Sequence, residues 1–238
     1  IFVNYKFGLI NQEAKKRSKN ENYMSAKVGI IMGSKSDLPV MQDAADICLE
    51  AVKAASERGI TISIDLNYRA KLWKFGKEPI DIIPDLVAYC DLVMGNIWAA
   101  EKMLGITLPS DIVAIDTKDN YLKQAEITSK EIINKFPKCK HVANTFRFDY
   151  KAGIRYYTTL FTEDKLFVSK EYLSEQILDR VGSGDCYMGG LIYGFYNEHQ
   201  PQQILEFATG AAYNKLYIPS DCTTATIQDV HQTIAQND

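Results

Sequence analysis

Apolar positions along this chain switch between two periods. Ala44, Ala45, Ile47, Cys48, Ala51, Val52 and Ala55 recur at helical spacing, and Gly59 supplies the residue that most readily closes such a helix. From Ile60 to Leu66 the period shortens to alternation rich in β-branched residues, which predicts a strand. A proline-initiated helix over Pro84–Cys90 follows, then a short apolar strand over Asp91–Gly95 and a helix over Ala99–Leu104 before Gly105. Beyond it the pattern predicts a helix over Lys118–Phe136, a strand over Lys140–Thr145 and a β-meander over Phe146–Val168. Helices after Asp185 and over Gln202–Tyr217 complete the series. Strands that alternate with helices predict an α/β fold with a mostly parallel sheet covered on both faces.

Composition narrows the function classes. The 238 residues suffice for one substantial core, or for one domain with a small extension. A hydrophobic content of 46% and a charged content of 24% are those of an ordinary globular chain. The net charge of −3 leaves no electrostatic footprint for nucleic acid or an anionic membrane, so any phosphate site must be local and the expected partners are small molecules. Cys48, Cys90, Cys139, Cys186 and Cys222 are scattered and form no C-x-x-C pair, and Cys139 with His141 is too sparse for a metal cluster. Reduced thiols and a cytoplasmic location are expected, and no apolar run reaches the length of a membrane span.

The densest chemistry lies in Asp179-Arg180-Val181-Gly182-Ser183-Gly184-Asp185-Cys186-Tyr187-Met188-Gly189-Gly190-Leu191-Ile192-Tyr193-Gly194. A glycine turn at the start of an apolar helix directs backbone N–H groups and the positive end of the helix at one spot, where a transferring phosphoryl group can sit. A carboxylate at that spot can take the proton of an attacking hydroxyl. Taken alone, the same residues also describe a glycine turn with Asp185 as a plain N-cap. A second group, Asp65, Asn67 and Arg69, alternates along one face of the strand ending near Leu66. Three polar groups at a strand's C-terminal end are costly to bury unpartnered, and ligands bind at that end of open α/β sheets. Arg69 could fork onto a carboxylate or phosphate, or form a structural salt bridge with Asp65. Trp73, Tyr156 and Tyr157 are expected to be packing residues, and His141, His199 and His231 have no companions that suggest catalysis.

Asp179–Asp185 followed by Met-Gly-Gly-Leu-Ile-Tyr-Gly closely resembles the C-terminal signature of the ribokinase (PfkB) family of carbohydrate kinases. Gly59 to Trp73 resembles that family's strand ending in Asp-x-Asn-x-Arg, and Lys215, Ile218, Asp221, Thr226 and Val230 are spaced like its nucleotide-side segment. The version here is similar to the 2-keto-3-deoxygluconate kinase branch. The resemblance implies a ribokinase-like three-layer sandwich and ATP-dependent phosphorylation of a primary hydroxyl on that sugar acid or a similar carbohydrate, with Mg2+. It implies Asp185 as catalytic base and the backbone N–H groups of Gly182, Ser183 and Gly184 as the anion hole. Asp65, Asn67 and Arg69 would bind substrate, and Asn96, Arg147, Lys215 and Asp221 would lie on the nucleotide side. The family's Asn-x-x-Glu has Ala99 in place of its acid here, which leaves the metal ligands unassigned, and Glu101 reads as a solvated helix residue.

The N-terminal stretch differs. Residues 1–23 form an untypical extension expected to be disordered, with a polar, lysine-rich run over Asn11–Asn22. Residues 24–42 contain Val28-Gly29-Ile30-Ile31-Met32-Gly33-Ser34-Lys35-Ser36-Asp37, which resembles the opening of the carboxyaminoimidazole ribonucleotide mutases (the PurE family), where Ser34, Ser36 and Asp37 would hold phosphate. That family's Ser-Ala-His-Arg motif is absent from the chain. A chimeric join is therefore expected, with residues 43–238 as the C-terminal part of a kinase domain that lacks the first strands and the lid. Weak turnover or none is expected from such a chain, and its exposed sheet edges would favour homo-oligomers. A mutase fragment and a non-catalytic nucleotide-binding fragment are the alternatives.

Overall fold

A computed structural model describes residues 29–30, 38–70, 73 and 76–237 of the chain. The extension over residues 1–23 and the mutase-like Ser34, Ser36 and Asp37 lie outside the described residues. The chain divides into two compact units, one with the described residues up to Asn144 together with Phe161–Leu166, the other with Thr145–Leu160 and the residues from Phe167 onward.

In the first unit, helix α1 (Leu38–Glu57) runs unbroken through positions 42 and 43, where the sequence suggested a join. It ends as the glycine predicted: Gly59 takes φ +69°, its N–H donates to Ser56 O at 3.0 Å, and Ile60 N–H donates to Ala55 O at 3.0 Å, which together satisfy the last carbonyls. Strands β1 (Gly29–Ile30), β2 (Ser63–Asp65), β3 (Leu92–Gly95) and β4 (His141–Tyr150) pair in that order, all parallel, with Ser63 opposite Leu92 and Leu92 opposite His141. The links are helical: a 3-10 turn (Pro79–Asp81) and α2 (Ile83–Val87) lead to β3, and α3 (Ile97–Leu104) and α4 (Lys118–Lys135) lead to β4. A parallel strand covered on both faces needs apolar side chains in both directions, and Leu92, Val93 and Met94 are all buried. Val52, Ile62, Ile64, Leu104, Ile132 and Val142 pack around β3, with Trp73 against the same core as expected.

The strand expected over Ile60–Leu66 is shorter than its pattern. Pairing covers only Ser63–Asp65; Leu66 N–H still reaches Met94 O at 2.7 Å, and Tyr68 N–H then turns back onto Leu66 O at 2.9 Å. That turn takes the backbone out of the ladder, so Asn67 and Arg69 stand beyond the strand rather than on its face.

In the second unit the end of β4 leads into β5 (Gly153–Thr162), β6 (Lys165–Val168) and β7 (Tyr172–Ser174), β7 antiparallel to β5. The described strands form a sheet ordered β1-β2-β3-β4-β5-β6, with β7 on β5. The expected meander is present, and Tyr156 and Tyr157 are buried packing residues, Tyr157 stacked on Phe146 at 5.0 Å. Helices α5 (Ser183–Tyr196) and α6 (Pro201–Lys215) match the prediction. Strand β7 and helix α7 (Ile227–Gln236) were not foreseen. The hydroxyl of Thr226 caps α7 by accepting from Asp229 N–H, and Val230 of α7 packs with Phe207 and Ala211 of α6.

Candidate active site

The glycine turn is held from beneath by the segment that leaves α6. Leu216 O accepts from Leu178 N–H at 2.8 Å and from Asp179 N–H at 3.1 Å, which fixes the start of the turn. Its apex, Gly182, takes φ +79°, and a Cβ there would stand 1.9 Å from the carbonyl oxygen of Asp221. Two independent constraints therefore require glycine at this position. Gly182 is the N-cap of α5, and the first intrahelical bond runs from Cys186 N–H to Gly182 O at 2.9 Å. The N–H groups of Gly182, Ser183 and Gly184 all precede that bond, so they are among the donors the helix end leaves without an intrahelical partner. Asp185 sits in the first turn of α5, half-buried, where the helix dipole favours its negative charge.

Ser183 links the turn to β4. Its hydroxyl donates to Arg180 O at 3.1 Å and accepts from Arg147 Nη1 at 3.1 Å. Arg147 is exposed as a residue, yet its guanidinium is drained of enough water to lower its pKa from the ordinary arginine value; Tyr156 opposes the shift, and the nearby Arg180 adds to it. It stays protonated at any physiological pH. Arg180 itself pairs with Asp149 at 2.9 Å on the surface.

Two residues expected on the nucleotide side, Lys215 and Asp221, are engaged with the backbone around the turn. Lys215 has no exposed surface, and its Nζ donates to Ile218 O at 3.0 Å, so its charge points into the protein and not toward a solvent-borne nucleotide. Asp221 meets the turn through its backbone carbonyl, while its exposed carboxylate accepts from Ser220 Oγ at 3.4 Å. A cleft of about 360 Å³ that the sequence did not reveal opens between the ends of α6 and α7, lined by Asn214, Ile218, Thr224, Ala225, Thr233 and Gln236 among others. The signal for it was the amphipathic pattern of α7, whose Ile227, Val230 and Ile234 pack inward.

In the first unit, Asp65 and Asn67 are half-buried and Arg69 is exposed, with Arg69 Nε donating to Asn67 Oδ1 at 3.4 Å. Asn96 is the N-cap of α3, its Oδ1 accepting from Ala99 N–H at 2.8 Å. Ala99 is buried and Glu101 lies beside Lys102 at 3.2 Å. Among the described residues no group of three His, Cys, Asp or Glu side chains is placed to hold a metal ion. No helix among them is long and apolar enough to cross a membrane.

An α/β fold with a mostly parallel sheet, carrying a glycine turn with one aspartate at a helix N-terminus, is a fold of the ribokinase-like class. The pfkB family carbohydrate kinase profile matches residues 2–215, and the chain belongs to that family. The matched span includes residues 24–42, which the sequence likened to a mutase. The chain is 25% identical over 236 residues to the 5-dehydro-2-deoxygluconokinase of Clostridium tetani, an alignment that takes in 98% of this chain and 62% of that protein. Among solved structures, 2-dehydro-3-deoxygluconokinase from Thermotoga maritima superposes with a TM-score of 0.70 at 29% identity, over 80% of this chain and 55% of that one. A second, a ribokinase II from E. coli crystallised with ATP and Mg2+, shares the fold at 15% identity and a TM-score of 0.57, over 78% of this chain and 52% of that one. The chain thus spans just under two thirds of the length of the curated relative.

Proposed function

We propose that this chain carries the nucleotide and catalytic side of an ATP-dependent kinase for a keto-deoxy sugar acid. Two of the relatives, at 25% and 29% identity, are named for 5-dehydro-2-deoxygluconate and 2-dehydro-3-deoxygluconate. Both names describe a deoxygluconate that bears a ketone, a carboxylate and a primary hydroxyl. In this reading the carboxylate of Asp185 accepts the proton of that hydroxyl as its oxygen bonds to the γ-phosphorus and the bond to ADP breaks. The N–H groups of Gly182, Ser183 and Gly184 face the charge that builds on the phosphoryl oxygens, and Arg147, held beside them by Ser183, adds a permanent positive charge. The cleft between α6 and α7 would take the nucleotide base, with Asn214, Thr224, Thr233 and Gln236 offering polar edges. Asp65, Asn67 and Arg69 would bind the sugar acid, Arg69 by pairing with its carboxylate. The described residues provide no carboxylate set for magnesium; when bound with the nucleotide, the ion would neutralise phosphate charge.

The observation that carries this reading is the Gly182 turn packed on Asp221 with Asp185 one helical turn beyond it. ADP release should be measured with each of the two acids, for the wild-type chain and for Asp185→Asn. Release that depends on one acid and disappears in Asp185→Asn is the expected result. Acid-dependent release that survives the substitution would remove Asp185 from the mechanism.

A further inference from the structure

Lys215 is a fully buried lysine outside the proposed chemistry. It ends α6, where a positive charge complements the negative end of the helix dipole, and Nζ donates to Ile218 O at 3.0 Å. The segment it holds carries two supports of the glycine turn. Leu216 O takes the N–H groups of Leu178 and Asp179 at 2.8 and 3.1 Å, and Asp221 O lies where a Cβ of Gly182 would be, at 1.9 Å. Ile218, whose carbonyl receives the ammonium, lies between these two supports in the chain. Ser220 N–H donates to Ile218 O at 2.8 Å, so a single carbonyl gathers both the ammonium and the next turn of the loop. The charge of Lys215 is felt at the first turn of α5 as well: burial pushes the Cys186 thiol up to about 12, Lys215 is the strongest influence opposing that rise, and Asp185 adds to it.

We propose that Lys215 is a positioning residue that fixes the Gly182–Asp185 turn through the backbone of residues 216–221, without touching nucleotide or sugar. A buried ammonium is costly unless its hydrogen bonds and surrounding dipoles are held in place, so its ordering and that of the loop are one event. Its effect on turnover rests on the kinase reading above; its effect on the turn does not.

The test compares the full chain with Lys215→Met, which removes charge and donor, and Lys215→Gln, which keeps a neutral donor. Amide hydrogen exchange at Leu178 and Asp179 needs no turnover. It should accelerate by about tenfold or more in Lys215→Met, and less in Lys215→Gln, while amides in α4 keep their wild-type rates. Unchanged exchange at both amides would overturn the proposal. If Lys215→Met does not fold, Lys215→Gln carries the same test. In ADP-release assays with the acid that the wild type accepts, kcat should fall roughly 10–100-fold, with KM for ATP within about threefold. A raised KM for ATP at unchanged kcat would show contact with the nucleotide and would also overturn it. Absence of acid-dependent ADP release in the wild type would sink the kinase reading alone, and the exchange rates would still decide the role of Lys215.

Discussion

Replacing Gly182 by alanine tests whether the turn is built on a backbone contact or only on a permissive φ. At φ +79° an L-residue costs about 1–2 kcal/mol in intrinsic strain. The new Cβ would also stand 1.9 Å from Asp221 O and 2.9 Å from Asp221 C. Neither atom belongs to a flexible side chain, so the two backbone segments must part, at a further cost of roughly 1–3 kcal/mol. Gly59 supplies the internal control, because it has nearly the same angle, φ +69°, with nothing within 4 Å of its Cβ position. Gly59→Ala should therefore lose only the strain, and Gly182→Ala the strain plus the separation. Thermal unfolding followed by circular dichroism should place Gly182→Ala roughly 2–12 °C below Gly59→Ala, since each kcal/mol moves the midpoint of a chain this size by about 2–4 °C. Gly182→Ala should also lose acid-dependent ADP release while Gly59→Ala retains it. Equal midpoints for the two variants would refute the claim that Gly182 and Asp221 are in contact.

Further expectations come from other parts of the chain. Asp185→Asn should lower turnover by about 10²–10⁴-fold, the usual worth of a general base, while ATP-dependent thermal stabilisation persists. Asn96→Ala should cost about 1 kcal/mol of stability through loss of the α3 cap, whereas Asn96→Asp keeps the acceptor and should stay near wild type; a rise in KM for ATP in Asn96→Asp alone would mark a role toward phosphate. Arg180→Gln should change stability by under about 1 kcal/mol, because its pair with Asp149 is 47% and 80% exposed. His141 is held down at about 4 by burial and the neighbouring Lys140, with Asp91 opposing. The unfolded chain therefore binds a proton there first: the contribution of neutral His141 is whole above pH 6.5 and is lost as pH falls toward about 4. His141→Asn should flatten the pH dependence of stability in that window, and an unchanged slope in urea titrations would count against it.

The elements that the sequence declared most clearly are those where one period governs a whole segment. The stretch Ala44–Ala55 with Gly59 behind it became α1 with its glycine stop, and Leu92–Met94 became a strand buried on both faces. Where tertiary contacts decide the boundary, the pattern misled. Ile60 to Leu66 alternates well, but pairing stops at Asp65 because the Tyr68 N–H turns onto Leu66 O. Strand β7 has three residues and exists by virtue of its partner β5, a fact no local window contains. Helix α7 escaped notice because its ten residues carry a narrow apolar stripe, Ile227, Val230 and Ile234, that makes sense only against Phe207 and Ala211.

The site shows the same division one level down. Side-chain placement was legible: an aspartate after a glycine turn can be named from residue types alone, and Asp185 stands in the first turn of α5. The parts that hold it there are carbonyl oxygens of Arg180, Leu216, Ile218 and Asp221, which every residue type possesses and no motif encodes. That is why Lys215 and Asp221 are placed on the nucleotide side by resemblance only. A resemblance cannot tell a charge that faces a ligand from a charge that faces a carbonyl. Burial makes that distinction: a lysine with no exposed surface and a bond to Ile218 O acts on the backbone, and any influence on phosphoryl transfer must pass through the turn that this backbone supports.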